Sequence, residues 1–240
     1  MGRAIEIENL IVDYSSRNGV VRAINGLSLD VEEGEVYGFL GPKGAGKTTI
    51  IDVLLGFIEA LSGHARIFGQ DVGTSVTRQR LGYLPEHCNL YLFLTGRELL
   101  TISGKLHRLT PNFMKERIKW LAEEIGFTDI IDRRIATYSR GMLQKIGLAQ
   151  ALVHDPDLVI LDEPTIGFDP PARIGIRKLM ASLREQGKTI FFSSHELSEV
   201  ELVCDHVGII AQGRLIAGGR VNELVNAGEN LERYFLRVIS

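Results

Sequence analysis

The spacing of apolar and polar residues divides the chain into three stretches. Between residues 4 and 13 apolar positions alternate with polar ones, Ile5 and Ile7 falling on one face. Residues 20–31 continue in short apolar runs broken at Asn25-Gly26 and Glu33-Gly34. A period of two is the pattern of a half-buried strand, so the chain is predicted to open with antiparallel β structure. Residues 36–40 form a continuous apolar run, as in a strand covered on both faces. Residues 49–55 take a helical period, residues 62–69 read as a short β segment, and residues 81–84 as a strand stopping at Pro85.

From residue 95 to residue 152 the period is helical. Thr95 and Glu98 stand at capping-box spacing, and Thr110-Pro111 pairs a cap with a first-turn proline. Met114, Ile118, Leu121 and Ile125 make one apolar stripe, which predicts a packing face. A helix is expected over 143–153, a buried strand over 158–161, a helix over 170–186 and a strand over 189–192. This order implies an α/β fold whose parallel sheet resumes after a helical insertion. No internal repeat or linker interrupts it, and the residues after Arg214 are too few for a separate regulatory domain.

Composition narrows the classes. At 240 residues and 45% hydrophobic, the chain can bury a full core in one large domain or in one domain plus a sizeable insertion. Lys and Arg number 27 against 30 Asp and Glu, a formal charge of −3, so no nucleic-acid partner is expected. No apolar run approaches the roughly 20 residues needed to span a bilayer. Met1-Gly2-Arg3 leads directly into strand pattern, so no export signal is expected. Cys88 and Cys204 lack C-x-x-C spacing and read as two reduced thiols of a cytoplasmic protein.

The chemistry is concentrated after the buried run. Residues 41–48, Gly-Pro-Lys-Gly-Ala-Gly-Lys-Thr, fit the phosphate-cradling pattern G-x-x-x-x-G-K-[ST] between a strand and a helix. Gly41, Gly44 and Gly46 are expected to turn with positive φ, aiming backbone N–H groups at phosphate oxygens from a helix start. Lys47 supplies a cation for the β and γ phosphates, and Thr48 a hydroxyl for Mg²⁺. Asp162 and Glu163 close the strand over 158–161, where Asp162 can hold Mg²⁺ through water and Glu163 can deprotonate an attacking water. His195, beyond the next strand, can donate to a γ-phosphate oxygen, while Ser193 can box the following helix with Glu196. Ser139, before the helix over 143–153, offers an anion site at a helix start. It can serve the same γ-phosphate only if a second molecule brings it there.

In this order the residues resemble the ATP-binding cassette family, and within it the nucleotide-binding subunits of ABC transporters, over nearly the whole chain. The resemblance rests on Tyr14 as an aromatic adenine platform, the Walker A loop at 41–48, Glu86 at the Q-loop position and the signature at 138–142. Walker B at 158–163, the D-loop Gly167-Phe168-Asp169-Pro170 and the switch His195 complete it. It implies a P-loop cassette with an antiparallel β subdomain, a parallel-sheet core over about 1–94 and 153–240, and a helical subdomain over 95–152. It also implies ATP and Mg²⁺ as cofactors. The ATP-binding set is Tyr14, Gly41, Pro42, Lys43, Gly44, Ala45, Gly46, Lys47, Thr48, Thr49, Ser139, Gly141 and Asp169. The catalytic set is Glu163, His195, Lys47 and Glu86, and the metal set Thr48, Asp162 and Glu86.

The partners implied are a transmembrane permease and a second ATP-binding subunit, the same or homologous, joined head to tail around two ATP molecules. The chain would then lie on the cytoplasmic face of the membrane. Lys43 stands where Asn is usual, Glu86 where Gln is usual, and Tyr138, Arg140 and Met142 where Leu, Gly and Gln are usual. Gly82-Tyr83-Leu84-Pro85-Glu86 and this signature are similar to the subgroup that drives drug, lipid, polysaccharide and antibiotic exporters. The alternative class is a soluble cassette ATPase of iron–sulfur assembly, DNA repair or ribosomes, several of which carry coiled-coil insertions or paired cassettes that this chain lacks.

Overall fold

A computed structural model describes residues 2–16, 19–225 and 229–239; Met1, part of the predicted N-terminal entry into a strand, lies outside them. The alternating N-terminal pattern forms two long strands, β1 (Arg3–Ser16) and β2 (Gly19–Glu32), paired antiparallel. With β4 (Ser62–Ile67) and β5 (Gln70–Asp71) they make a four-stranded sheet in the order β2-β1-β4-β5. Asn25-Gly26 does not break β2 as expected. Leu10 pairs with Leu27 and Ile11 with Asn25, so Gly26 is an extra residue, carried at φ 70°. Glycine accepts that angle without strain, and the break becomes a β-bulge inside a continuous strand.

The second sheet has six strands. It contains β3 (Val36–Leu40), β6 (Leu81–Leu84), β7 (Leu158–Asp162), β8 (Thr189–Ser194), β9 (His206–Ala211) and β10 (Arg214–Arg220), ordered β10-β9-β3-β8-β7-β6. All neighbours run parallel except β10, which returns antiparallel to β9. Side chains of β3, β7 and β8 alternate between two cores. Tyr37, Phe39, Leu158, Ile160 and Phe191 pack with α1 (Lys47–Leu54) and the first sheet. Val36, Leu40, Val159, Leu161, Ile190 and Phe192 pack toward the helices on the other side. Coverage on both faces is why these strands read as unbroken apolar runs.

Helices follow their caps. After the short α2 (Ser75–Gln79), α3 (Gly96–Leu106) begins with Thr95 and Glu98 in a capping box. Helix α4 (Pro111–Ile125) is capped by Thr110, and α5 (Arg140–Leu152) by Ser139. The stripe on α4 is a packing face: Ile118, Leu121 and Ile125 are buried against α3 and α5, with Met114 partly covered. Helix α6 (Pro170–Glu185) follows β7, and α7 (Leu197–Val203) follows β8. The residues after β9 form β10, α8 (Val221–Leu224) and α9 (Leu231–Ile239), which pack on the core as part of the same body. The loops that leave β3, β7 and β8 all emerge at the carboxyl edge of the sheet, where α/β folds hold ligands.

Candidate active site

At that edge a cleft of about 590 Å³ is lined by Ala23, Lys43, Gly44, Gly46, Lys47, Thr48, Thr49, Glu86, Asp162, Glu163 and His195. The phosphate loop joins β3 to α1. Gly44 and Gly46 do turn with positive φ, 80° and 110°, but Gly41 does not. Gly41 is required for a different reason: a Cβ there would stand 2.4 Å from the Ile210 carbonyl oxygen of β9. The loop is braced from outside its own segment. The Gly213 N–H donates to the Ala45 carbonyl at 2.9 Å, and the Asn25 N–H to the Gly213 carbonyl at 2.9 Å.

The Lys47 ammonium bends over the loop and donates to the carbonyls of Gly41 (2.6 Å) and Pro42 (3.2 Å). Burial pulls its pKa below the usual lysine value, and the carboxylates of Glu163, Asp162 and Glu86 pull it back up. Thr49 is buried behind the loop and accepts a hydrogen bond from the Tyr14 hydroxyl at 3.3 Å, so the ring of β1 reaches the start of α1. Lys43 lines the mouth and forms no ion pair among the described residues.

Asp162 and Glu163 lie at the end of β7, both buried. Burial raises the pKa of each carboxyl; a hydrogen bond from the Ser193 hydroxyl opposes this at Asp162, and His195 opposes it at Glu163. Glu163 has φ 52°, an angle that costs a non-glycine residue about 1–3 kcal/mol unless its surroundings hold it. Here its N–H is held by both the carbonyl (3.2 Å) and the hydroxyl (3.1 Å) of Ser193. Ser193 therefore does not box the next helix. Glu196 N–H donates instead to Ser194 Oγ at 2.9 Å, and Ser193 organises both acidic residues.

His195 does not stand alone: its Nδ1 lies 2.8 Å from Glu163 Oε2, joining the two expected catalytic groups directly. Glu86 is about half exposed at the cleft, with His87 Nε2 3.8 Å from its carboxylate. Ser139, Gly141 and Asp169 do not line the cleft. Ser139 is exposed, its hydroxyl accepting from the Met142 N–H at 3.3 Å. Asp169 caps α6, accepting from the Ala172 N–H at 3.0 Å. Gly141 faces Gly167 and Phe168, so the start of α5 and the start of α6 share one surface.

The sequence carries no signal for two contacts of the site. Ser193 reads from the chain as a box for the following helix, since its neighbour across the sheet, Asp162, lies 31 residues away. Gly213 carried a turn signal, with nothing to place it beneath Ala45.

Residues 24–166 match the protein family described as ABC transporter. The chain is 42% identical over 90% of its length to an ABC transporter ATP-binding protein of Synechocystis sp., and spans 61% of that protein. It is 37% identical over 92% of its length to the linearmycin resistance ATP-binding protein LnrL of Bacillus subtilis, spanning 70% of it. Among solved structures, an ATP-binding subunit of an ABC transporter superposes with a TM-score of 0.91 at 27% identity, covering 99% of this chain and 100% of that one.

Proposed function

Because this chain belongs to the ABC transporter family of ATP-binding proteins, we propose that it hydrolyses ATP to drive a separate membrane permease, with two subunits closing head to tail around two nucleotides. One observation carries this reading. Lys47, Thr48, Asp162, Glu163 and His195 share one cleft, while Ser139 and Gly141 lie outside it, on the surface where α5 meets α6. That is the arrangement expected if a second subunit's signature completes each site. The backbone N–H groups at the start of α1 and Lys47 receive the phosphates, and the Tyr14 ring receives the base.

Thr48, Asp162 and Glu86 offer the hard oxygen donors that suit Mg²⁺, and the buried Asp162 carboxyl, raised by desolvation, gains from a cation beside it. Mg²⁺ neutralises phosphate charge when bound. Glu163 accepts a proton from the attacking water. With Nδ1 held by Glu163, His195 keeps Nε2 for the γ-phosphate. ATP favours the closed pair because that state binds it more tightly, and loss of the γ-phosphate removes the difference.

A helical subdomain over about 95–152 and a core formed by the remainder divide the work. Tyr91, Leu92 and Phe93, in the segment that follows Glu86, and Ile102 and Leu106 on α3 are exposed apolar side chains that suit contact with a permease. Among the described residues no helix is long and apolar enough to cross a membrane, so attachment to the membrane face falls to that permease. The resistance protein LnrL among the relatives supports export as the direction. Glu163→Gln should bind ATP, accumulate nucleotide-bound dimer and lose turnover by roughly 10²-fold or more, the scale of removing a general base. Steady-state hydrolysis with size-exclusion chromatography tests this; wild-type turnover in that variant removes Glu163 from its role.

A further inference from the structure

Helices α6 and α7 both start at loops that carry site residues. The loop before α6 contains Gly167-Phe168-Asp169, and the loop before α7 contains His195-Glu196. Two arginines one turn apart on α6 cross to the α7 region: Arg173 pairs with Glu196 in the loop before α7, and Arg177 with Glu199 on α7 at 3.2 Å. The two rungs differ at their other end. Arg173 Nε also donates to the Phe168 carbonyl at 3.3 Å, whereas among the described residues the Arg177 guanidinium is bonded to Glu199 alone.

We infer that Arg173 is a positioning residue that locks the Phe168 loop to the His195 loop, so that the surface around Gly141 and the hydrolytic groups move together. The connected path runs from the Phe168 carbonyl through the Arg173 guanidinium to Glu196, then along the backbone to His195 and through its Nδ1 to Glu163. Both Arg173 and Glu196 side chains are more than two-thirds buried, at 29% and 25% exposure, which limits screening by solvent. A guanidinium is a planar fork with fixed donor directions, so displacement of one loop is passed to the other rather than absorbed. Phe168 is buried with its ring about 3.8 Å from where a Gly141 side chain would begin. Closure of a second subunit on that surface would thus bear on the orientation of His195 and Glu163. The inference rests on the hydrolytic roles proposed above for those two residues.

The test compares Arg173→Ala, Arg173→Lys, Glu196→Gln and Arg177→Ala for kcat, KM for ATP and thermal midpoint. Arg173→Ala and Arg177→Ala each remove one rung and should lower the midpoint alike. Arg173→Ala alone should lower kcat, by about tenfold, with KM within about twofold, as expected when catalytic groups are displaced but nucleotide contacts are kept. Arg173→Lys should recover thermal midpoint but not kcat, because an ammonium cannot serve both acceptors in a fixed plane. Glu196→Gln, which keeps side-chain shape, should also lower kcat, and it carries the test if Arg173→Ala fails to fold. Equal kcat in the Arg173 and Arg177 variants, or a change confined to KM, overturns the inference while leaving the ATPase reading intact. A wild-type protein that does not hydrolyse ATP overturns both.

Discussion

Replacing Ser193 by alanine tests the carboxylate pair at its base. Ser193 is fully buried; its hydroxyl donates to Asp162 Oδ1 and accepts from the Glu163 N–H. The Glu163 N–H keeps the Ser193 carbonyl at 3.2 Å, so the substantive loss is the hydrogen bond to the Asp162 carboxylate. A hydrogen bond to a charged group contributes about 1.5–3 kcal/mol, and the alanine methyl has no donor to replace it. At about 2–4 °C per kcal/mol for a domain of this size, the thermal midpoint should fall by about 3–12 °C. Asp162 also loses the partner that sets its orientation, so half-maximal ATPase activity should require about tenfold more Mg²⁺, the lower end for removing a ligand's outer partner. Scanning fluorimetry and a Mg²⁺ titration of hydrolysis measure the two effects. A lower midpoint with unchanged Mg²⁺ dependence would refute the orienting role, and no change in either would refute the geometry of the pair.

Two further outcomes are expected. Gly213→Ala would place a Cβ 2.4 Å from the Ala23 carbonyl oxygen at φ 72°, so it should destabilise the protein by about 1–3 kcal/mol and weaken ATP binding with it; a melt and a nucleotide titration check both. His154, whose pKa burial pulls down to about 4, has a buried Nδ1 with no partner among the described residues, while its Nε2 lies 3.0 Å from the Leu81 carbonyl. The unfolded chain takes up a proton below about pH 6.5 that the native state refuses, so stability is full above that pH and falls as pH drops toward 4. Replacing His154 by Gln should flatten the dependence of the thermal midpoint on pH between those limits, and an unchanged slope would exclude His154 as its source.

What could be read from the chain without its fold was whatever is local. The phosphate loop is eight consecutive residues whose glycines, lysine and threonine act on one ligand, so linear order alone places them together. Strand runs over 36–40 and 158–161 and the caps at Thr95 and Thr110 are likewise set by neighbours a few positions away. Tertiary structure decided everything that depends on register and approach between distant segments. Parallel pairing of β7 with β8 sets Asp162 opposite Ser193, which turns an apparent helix cap into the donor for an acidic residue. The return of β9 brings the Ile210 carbonyl against Gly41, so that glycine is needed for lack of bulk rather than for its φ. Only the packing of α6 on α7 lets Arg173 reach two loops at once. A sequence specifies its short-range conformational preferences directly, but which atoms meet across the sheet follows from the one register that buries both apolar faces.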